Sequence, residues 1–106
     1  MKYDVIIVGA GPAGIFSALE LTKTNNKLNI LILDRGPNID KRKCPSSRGF
    51  ECHHCEPCSI LSGWGGAGAY SDGKLTLSTE VGGWLNEYVG KNELEKLVNY
   101  VDSIYL

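Results

Sequence analysis

Apolar positions follow two different periods in the first third of the chain. Tyr3–Val8 is a β-rich and mostly apolar run, which is typical of a buried parallel strand. From Gly14 to about Lys23 the apolar residues recur at helical spacing, as in a helix that packs on a sheet. After a polar break, Leu28–Leu33 forms a second apolar run. The pattern predicts strand, helix and strand over residues 1–34, a βαβ unit.

Residues 79–106 return to a helical pattern. The apolar positions of a first helix are Val81, Trp84, Leu85 and Tyr88. We expect Gly90 to end this helix and Asn92 to cap a second one, whose apolar stripe reaches Ile104. Because a packed helix needs such a stripe, Trp84 and Tyr88 are predicted to be core residues.

The middle of the chain, residues 35–78, has little periodicity. It holds all four cysteines, three of the four prolines and seven of the thirteen glycines. We expect an irregular segment with a short strand at Lys74–Leu77. A stretch of this length without regular structure usually serves a function or holds a ligand. Its first half carries the basic residues Arg35, Lys41, Arg42, Lys43 and Arg48. Such residues suit the surroundings of a phosphate or a metal cluster, and they suit a solvent-exposed face equally well.

These elements predict an α/β fold: an incomplete Rossmann-like βαβ unit (1–34), a Cys/Gly-rich loop region (35–78) and two helices (79–106). A doubly wound sheet needs more strands, so we expect the N-terminal part of a longer domain. The 11 basic and 12 acidic residues give a formal net charge of -1, which argues against a nucleic-acid or membrane-surface partner. No apolar run approaches the roughly 20 residues of a membrane span.

The segment that follows the first strand reads Gly9-Ala10-Gly11-Pro12-Ala13-Gly14, a G-x-G-x-x-G motif. In such a turn Gly9 permits the tight bend, Gly11 lets the backbone approach a pyrophosphate, and Gly14 lets the helix pack close to the strand. The helix N-terminus offers N–H groups and a positive dipole end to the phosphates. Pro12 stands where the first turn has no N–H to lose.

Asp34 ends the second strand, 20 residues after Gly14. A carboxylate at this place accepts hydrogen bonds from ribose hydroxyls, and it would repel a 2′-phosphate. Arg35, the next residue, weakens that second argument. Together the turn and the acidic residue predict a dinucleotide site.

The cysteines Cys44, Cys52, Cys55 and Cys58 have the spacing C-x7-C-x2-C-x2-C. Asp4 interrupts the N-terminal apolar run, so we predict no signal peptide and a cytoplasmic protein. Because the cytoplasm keeps thiols reduced, we expect no structural disulfides. Two-residue spacers let thiolates converge on one centre, and three interpretations stay open: a [4Fe–4S] cluster, a zinc site, or free or redox-active thiols. The neighbouring cations Lys41, Arg42 and Lys43 should lower thiol pKa values.

Two stretches of the sequence resemble known flavoproteins. MKYDVIIVGAGPAGIFSALEL and LILDRG resemble the N-terminal FAD-binding unit of the glutathione-reductase-like flavoproteins. CHHCEPCSILSGWGGAGAYSDGKLTL resembles bacterial and archaeal FAD-dependent dehydrogenases of largely unassigned function. This resemblance spans residues 1 to about 90.

The resemblance implies FAD as cofactor, with Asp34 at the adenosine ribose. The residues expected to contact FAD in the glycine turn and beside Asp34 are Gly9, Gly11, Pro12, Ala13, Gly14 and Arg35. The residues expected along the flavin end are Gly65, Gly66, Ala67, Gly68, Ala69, Tyr70 and Ser71. Asp72 and Lys74 could be a catalytic acid or base, although an Asp-Gly turn explains Asp72 equally well. No convincing catalytic base is identified.

The function predicted from these observations is an FAD-dependent oxidoreductase. It would act on a small molecule and exchange electrons with NAD(P)H or an electron carrier, with a possible metal site at the cysteines. A non-catalytic nucleotide- or zinc-binding module is the alternative from another class. A third interpretation is a relative of the flavin-dependent lipid reductases, which also have a cysteine after the second strand, as in KRKCP here.

Overall fold

A computed structural model describes all residues from 1 to 106. The chain divides into two compact units, Met1–Asp72 and Gly73–Leu106. The strands and α-helices are β1 (Val5–Val8), α1 (Pro12–Thr24), β2 (Ile30–Leu33), α2 (Leu85–Val89) and α3 (Lys91–Tyr105). The boundary between the units falls inside the stretch that the sequence assigns to one irregular segment.

The first unit begins with the predicted βαβ arrangement. Strands β1 and β2 pair in parallel, with Val5 opposite Ile30 and Val8 opposite Leu33. Both strands are shorter than predicted, and the residues just before them are joined by two hydrogen bonds. The Asp4 N–H donates to the Asn29 carbonyl, and the Asn29 N–H donates to an Asp4 carboxylate oxygen, each at 2.8 Å.

Helix α1 begins with Pro12 and starts two residues earlier than the sequence pattern indicates. The fixed φ of Pro12 suits the first turn of a helix, where a backbone N–H has no partner within the helix. The helix ends at Thr24, and the Asn25 N–H closes it by donating to the Leu21 carbonyl at 2.9 Å. The polar break predicted after the helix is confirmed at this position.

The rest of the first unit is irregular, as predicted, apart from three short 3₁₀ turns. These turns are Ile39–Lys41, Pro45–Arg48 and Ala67–Tyr70. The strand expected at Lys74–Leu77 is wrong, since the chain there forms no strand. An isolated extended run has no neighbouring strand with which to exchange backbone hydrogen bonds.

The second unit contains helices α2 and α3, separated by Gly90 alone. Gly90 has φ +82° and ψ 156°, ends α2 and is also the residue that precedes α3. Asn92 therefore lies inside α3 and does not cap it, contrary to the prediction. The apolar side of α3 lines a groove of about 280 Å³ with residues of the same unit: Leu75, Thr76, Leu77, Leu85, Leu94, Leu97, Val98 and Val101.

The predicted core role of Trp84 and Tyr88 is wrong in this structure. Their exposed fractions are 76% and 84%, and Trp84 stands before the helix instead of within it. The packed face of the second unit is supplied by Leu94 and Val98 of α3, which are half-buried. No helix of the chain has the length and apolar character that a membrane crossing requires.

Candidate functional site

The glycine turn between β1 and α1 has the geometry that its sequence predicts. Gly9 has φ +106°, a left-handed conformation that favours glycine, and its N–H donates to the Leu33 carbonyl at 2.6 Å. A Cβ placed on Gly14 would overlap the Gly9 carbonyl oxygen and come within 3.3 Å of the Ile7 side chain. Gly14 thus lets α1 pack directly on the end of β1.

Gly11, like Gly9, has open space beside it, and unlike Gly9 it does not have a left-handed φ. A Cβ on Gly11 would meet one atom only within 4 Å, the Gly66 Cα at 3.9 Å. Gly11 also precedes α1, and no side chain caps the helix there. The backbone at the start of α1 is therefore accessible to an anionic ligand, as a phosphate site requires.

Asp34 holds the turn together from the end of β2. Its carboxylate accepts the Ala10 N–H and the Gly36 N–H, each at 2.8 Å. These two backbone hydrogen bonds, foremost that from Ala10, hold the pKa of Asp34 below its ordinary value of 3.8. The Gly63 N–H and the Arg42 charge contribute in the same direction, while burial opposes them.

The carboxylate of Asp34 keeps capacity for a further ligand. An ionised carboxylate offers about four acceptor positions; the Ala10 and Gly36 N–H groups use one on each oxygen, and the Gly63 N–H also contributes. The sequence predicts a ribose hydroxyl as that ligand. The structure adds a second role, because the same side chain fixes the shape of the glycine turn.

A cleft of about 420 Å³ opens beside the turn. Its lining consists of Val8, Gly9, Gly11, Leu33, Asp34, Arg35, Leu61, Ser62 and Gly66. Five of these are sequence-predicted site residues, and they come from three separate parts of the chain. A second cleft of about 440 Å³ also reaches Asp34, together with Ala10 and Trp64.

The second glycine segment docks on the first. The Gly65 N–H donates to the Ala10 carbonyl at 2.8 Å. Gly66 has φ +62°, and a Cβ on it would approach the Gly11 Cα at 3.0 Å. Two stretches that the sequence identifies separately as cofactor-binding are therefore in direct contact.

The remaining predicted residues lie around these contacts. A Cβ on Gly68 would come within 3.9 Å of the Pro12 ring, and the 3₁₀ turn Ala67–Tyr70 continues from Gly66. Pro12, Ala13 and Gly14 belong to the first turn of α1 and do not line the cleft themselves. Asp72 and Lys74 line neither of the two clefts.

Arg42 supports the site from behind the second glycine segment, a role that the sequence did not predict. The prediction placed it in a basic loop facing solvent or a ligand, yet it is only 4% exposed. Its guanidinium donates to the backbone carbonyls of residues 59, 60, 64 and 66. No sequence pattern predicts this burial, because the acceptors are main-chain atoms of residues that lie 17 to 24 positions further along the chain. The sequence also did not predict that Leu61 and Ser62, which follow two of these acceptors, line the cleft.

The cysteines are not gathered by the structure. Cys44 and Cys58 are partly buried, whereas Cys52 and Cys55 are exposed, and all four are free thiols. No group of three or more histidine, cysteine or carboxylate side chains is arranged to hold a metal ion. The metal site therefore stays a prediction from the spacing.

Cys44 has a lowered thiol pKa, as predicted, but for a different reason. The Ser46 hydroxyl lies 3.0 Å from the Cys44 sulfur, and its hydrogen bond is the main cause of the lowering, against the opposing effect of burial. Backbone hydrogen bonds from Ser46 and Ser47 add to it. The neighbouring cations that the sequence suggested are not among the causes.

Comparison with known proteins gives one family and two relatives. The family model described as "Lycopene cyclase protein" matches residues 4–75. An uncharacterized protein of Clostridium beijerinckii is 40% identical over 77 residues, 72% of this chain and 14% of its own length. The uncharacterized protein Mbar_A1602 of Methanosarcina barkeri is 53% identical over 34 residues, 32% of this chain and 8% of its own length. The chain thus spans a small part of both curated relatives, and no solved structure matches it.

The matched region contains both clefts, from the glycine turn to the second glycine segment. Lycopene cyclases are an FAD-binding enzyme family, so the match supports FAD binding and an oxidoreductase-like role at a coarse level. It supports no particular activity and no metal site. By the extent of the match, which covers more than half of the sequence, the chain belongs to the lycopene cyclase protein family.

Proposed function

We propose that this chain is the FAD-binding part of a flavin-dependent oxidoreductase. The observation that carries the proposal is the cleft beside the glycine turn. It joins the glycine turn, the acidic end of β2 and the second glycine segment through Gly9, Asp34 and Gly66. Family membership supports the same cofactor independently.

The residues of the cleft fit the parts of FAD. Gly11 has no Cβ, so its backbone and the uncapped start of α1 would hold the pyrophosphate. Asp34 would accept a hydrogen bond from the adenosine ribose while it keeps its hydrogen bonds from the Ala10 and Gly36 N–H groups. The segment from Gly65 to Ser71 would run towards the flavin. When bound, the flavin supplies hydride or single-electron transfer.

Asp34 favours FAD over a ligand with a 2′-phosphate, and Arg35 beside it does not add to this preference. The Arg35 guanidinium forms an exposed ion pair with the Glu56 carboxylate at 3.3 Å. An exposed ion pair of this kind is weak, so an incoming 2′-phosphate would be repelled mainly by the Asp34 carboxylate. Repulsion between these anions disfavours such a ligand.

The finer parts of the proposal concern the reaction. We propose a dehydrogenase or reductase that acts on a small molecule and exchanges electrons with NAD(P)H or a protein carrier. A cluster or zinc ion at the four cysteines is proposed from their spacing alone. A flavin-dependent lipid reductase is a special case of this enzyme, and a non-catalytic binding module is the alternative that family membership disfavours.

The spectrum of protein isolated without oxygen tests this function. Structured flavin bands that bleach on addition of a reductant are the expected result. A broad additional shoulder that also bleaches would support an iron–sulfur cluster. A colourless protein that takes up no added FAD would contradict the proposal, and bound zinc without flavin would favour the binding module.

A further inference from the structure

We infer that Arg42 is a positioning residue of the proposed FAD cleft. Its guanidinium holds the loop of residues 59–66 in the shape that seats Gly65 and Gly66 on the glycine turn. The inference rests on the proposed function, because the effect of Arg42 is expressed as affinity for FAD. Arg42 itself does not line the cleft, so it acts through the loop.

The hydrogen bonds of Arg42 account for its burial. Nε donates to the Ser59 carbonyl at 2.8 Å and one terminal nitrogen to the Ile60 carbonyl at 2.6 Å. The other terminal nitrogen donates to the carbonyls of Trp64 and Gly66, each at 2.8 Å. A buried charge is very unfavourable unless it is hydrogen-bonded, so this set of acceptors must form together with the burial.

These bonds fix the loop on both sides of its contact with the glycine turn. The carbonyls of Trp64 and Gly66 point to Arg42, while the N–H of Gly65, the residue between them, donates to the Ala10 carbonyl. Leu61 and Ser62, which line the cleft, directly follow the two other acceptors. Of the three cleft-lining residues of this loop, Gly66 is itself a partner of Arg42, Leu61 is next to the partner Ile60, and Ser62 follows Leu61.

The site is built for arginine in particular. A guanidinium has five N–H donors in a rigid plane, and Arg42 uses four of them. A lysine has three donors on one nitrogen and cannot reach four separated carbonyls. The Tyr70 ring lies 4.9 Å from the guanidinium carbon, and the Tyr70 hydroxyl donates to the Arg42 carbonyl at 2.5 Å. Gly63 leaves room for the side chain, since a Cβ there would lie 2.7 Å from the Arg42 Cδ.

The test compares Arg42→Lys with Arg48→Lys in the full chain, with FAD as the probe. Arg48 is an exposed arginine of the same segment and lies outside both clefts, so it is the matched control. We expect Arg42→Lys to weaken FAD binding about tenfold or more, the change that corresponds to about 1.4 kcal/mol. Arg48→Lys should bind FAD within about twofold of the wild type, and hydrogen exchange of residues 59–66 should quicken only in Arg42→Lys.

Arg42→Ala provides a second test, which distinguishes the loss of the guanidinium from a general loss of folding. Millimolar guanidinium should restore FAD binding to this variant by filling the vacated position, and ammonium at equal ionic strength should not. If Arg42→Lys binds FAD as tightly as Arg48→Lys, or if guanidinium restores nothing, the inference is overturned while the proposed function stands. A wild-type chain that binds no FAD overturns the proposed function itself, and this inference with it.

Discussion

Single residues of the glycine turn, and Asp34 beside it, determine the geometry of the proposed site. The roles of Gly9 and Gly14 follow from their positions in the motif, and the structure shows both the left-handed φ and the close contact. Asp34 differs, because its carboxylate is engaged by the backbone of the turn as well as being offered to a ligand. We therefore expect stability and ligand binding to depend on the same side chain.

The pH dependence of stability should report the contacts of Asp34. Its pKa is lowered in the folded chain, so its contribution to stability is present above its ordinary value of 3.8 and is lost as the pH falls through the lowered value. We expect the urea midpoint of the wild type to fall on acidification and that of Asp34→Asn to change less. Asp40→Asn, at another exposed aspartate, is the control. Parallel pH profiles for wild type and Asp34→Asn would contradict this role.

Gly11 and Gly14 should respond differently to alanine. Gly14→Ala places a Cβ on the Gly9 carbonyl oxygen, and we expect it to destabilise the chain by about 1–3 kcal/mol, as overpacking does. Gly11→Ala meets no atom closer than 3.9 Å, so it should cost less than about 1 kcal/mol. Denaturant unfolding measures both. Equal stability of the two variants would show that α1 does not need the close approach.

At the level of elements, the local pattern predicted the βαβ unit well and the C-terminal region less well. The helix between parallel strands and the polar break after it are confirmed. The strand at Lys74–Leu77 is wrong, because strand formation depends on a pairing partner that a local window does not contain. The predicted cap at Asn92 is also wrong, since Gly90 takes both the end of α2 and the start of α3.

Substitutions at the junction of α2 and α3 test that correction. Gly90 has φ +82° and ψ 156°, a region essentially restricted to glycine, so Gly90→Ala should lower the stability of the second unit by about 1–3 kcal/mol. Asn92→Ala should be neutral or slightly stabilising, because alanine is the better residue inside a helix. Thermal unfolding followed by far-UV circular dichroism distinguishes them. A loss of stability in Asn92→Ala alone would restore the capping prediction.

For the whole molecule, contacts between distant segments were the part that the sequence could not predict. Gly11 and Gly66 belong to two separate motifs of the sequence, and only the structure shows that they are in contact. The burial of Arg42 was not predicted because its partners are backbone carbonyl groups. Every residue has one, so the sequence does not indicate which of them will accept a hydrogen bond. The spacing of the cysteines, in contrast, was noticed at once, yet the structure does not gather them.

Metal analysis of anaerobically isolated protein tests the cysteine prediction. If the spacing does reflect a metal centre, the protein should contain iron or zinc, and Cys55→Ser should lower that content because one ligand is lost. Lys27→Ala, in the exposed turn before β2, is the control and should keep the wild-type content. Wild-type protein without iron or zinc would leave the four cysteines as thiols.

Titration of the wild type and of Gly11→Val with FAD, followed by flavin fluorescence, tests whether the glycine turn binds the cofactor. The wild type should bind one FAD per chain, and the valine side chain should abolish binding because it projects where the pyrophosphate approaches the backbone. Thr22→Val, on the exposed last turn of α1, should bind as the wild type does. Equal FAD affinity in wild type and Gly11→Val would contradict the assignment of the glycine turn, and with it the proposed site.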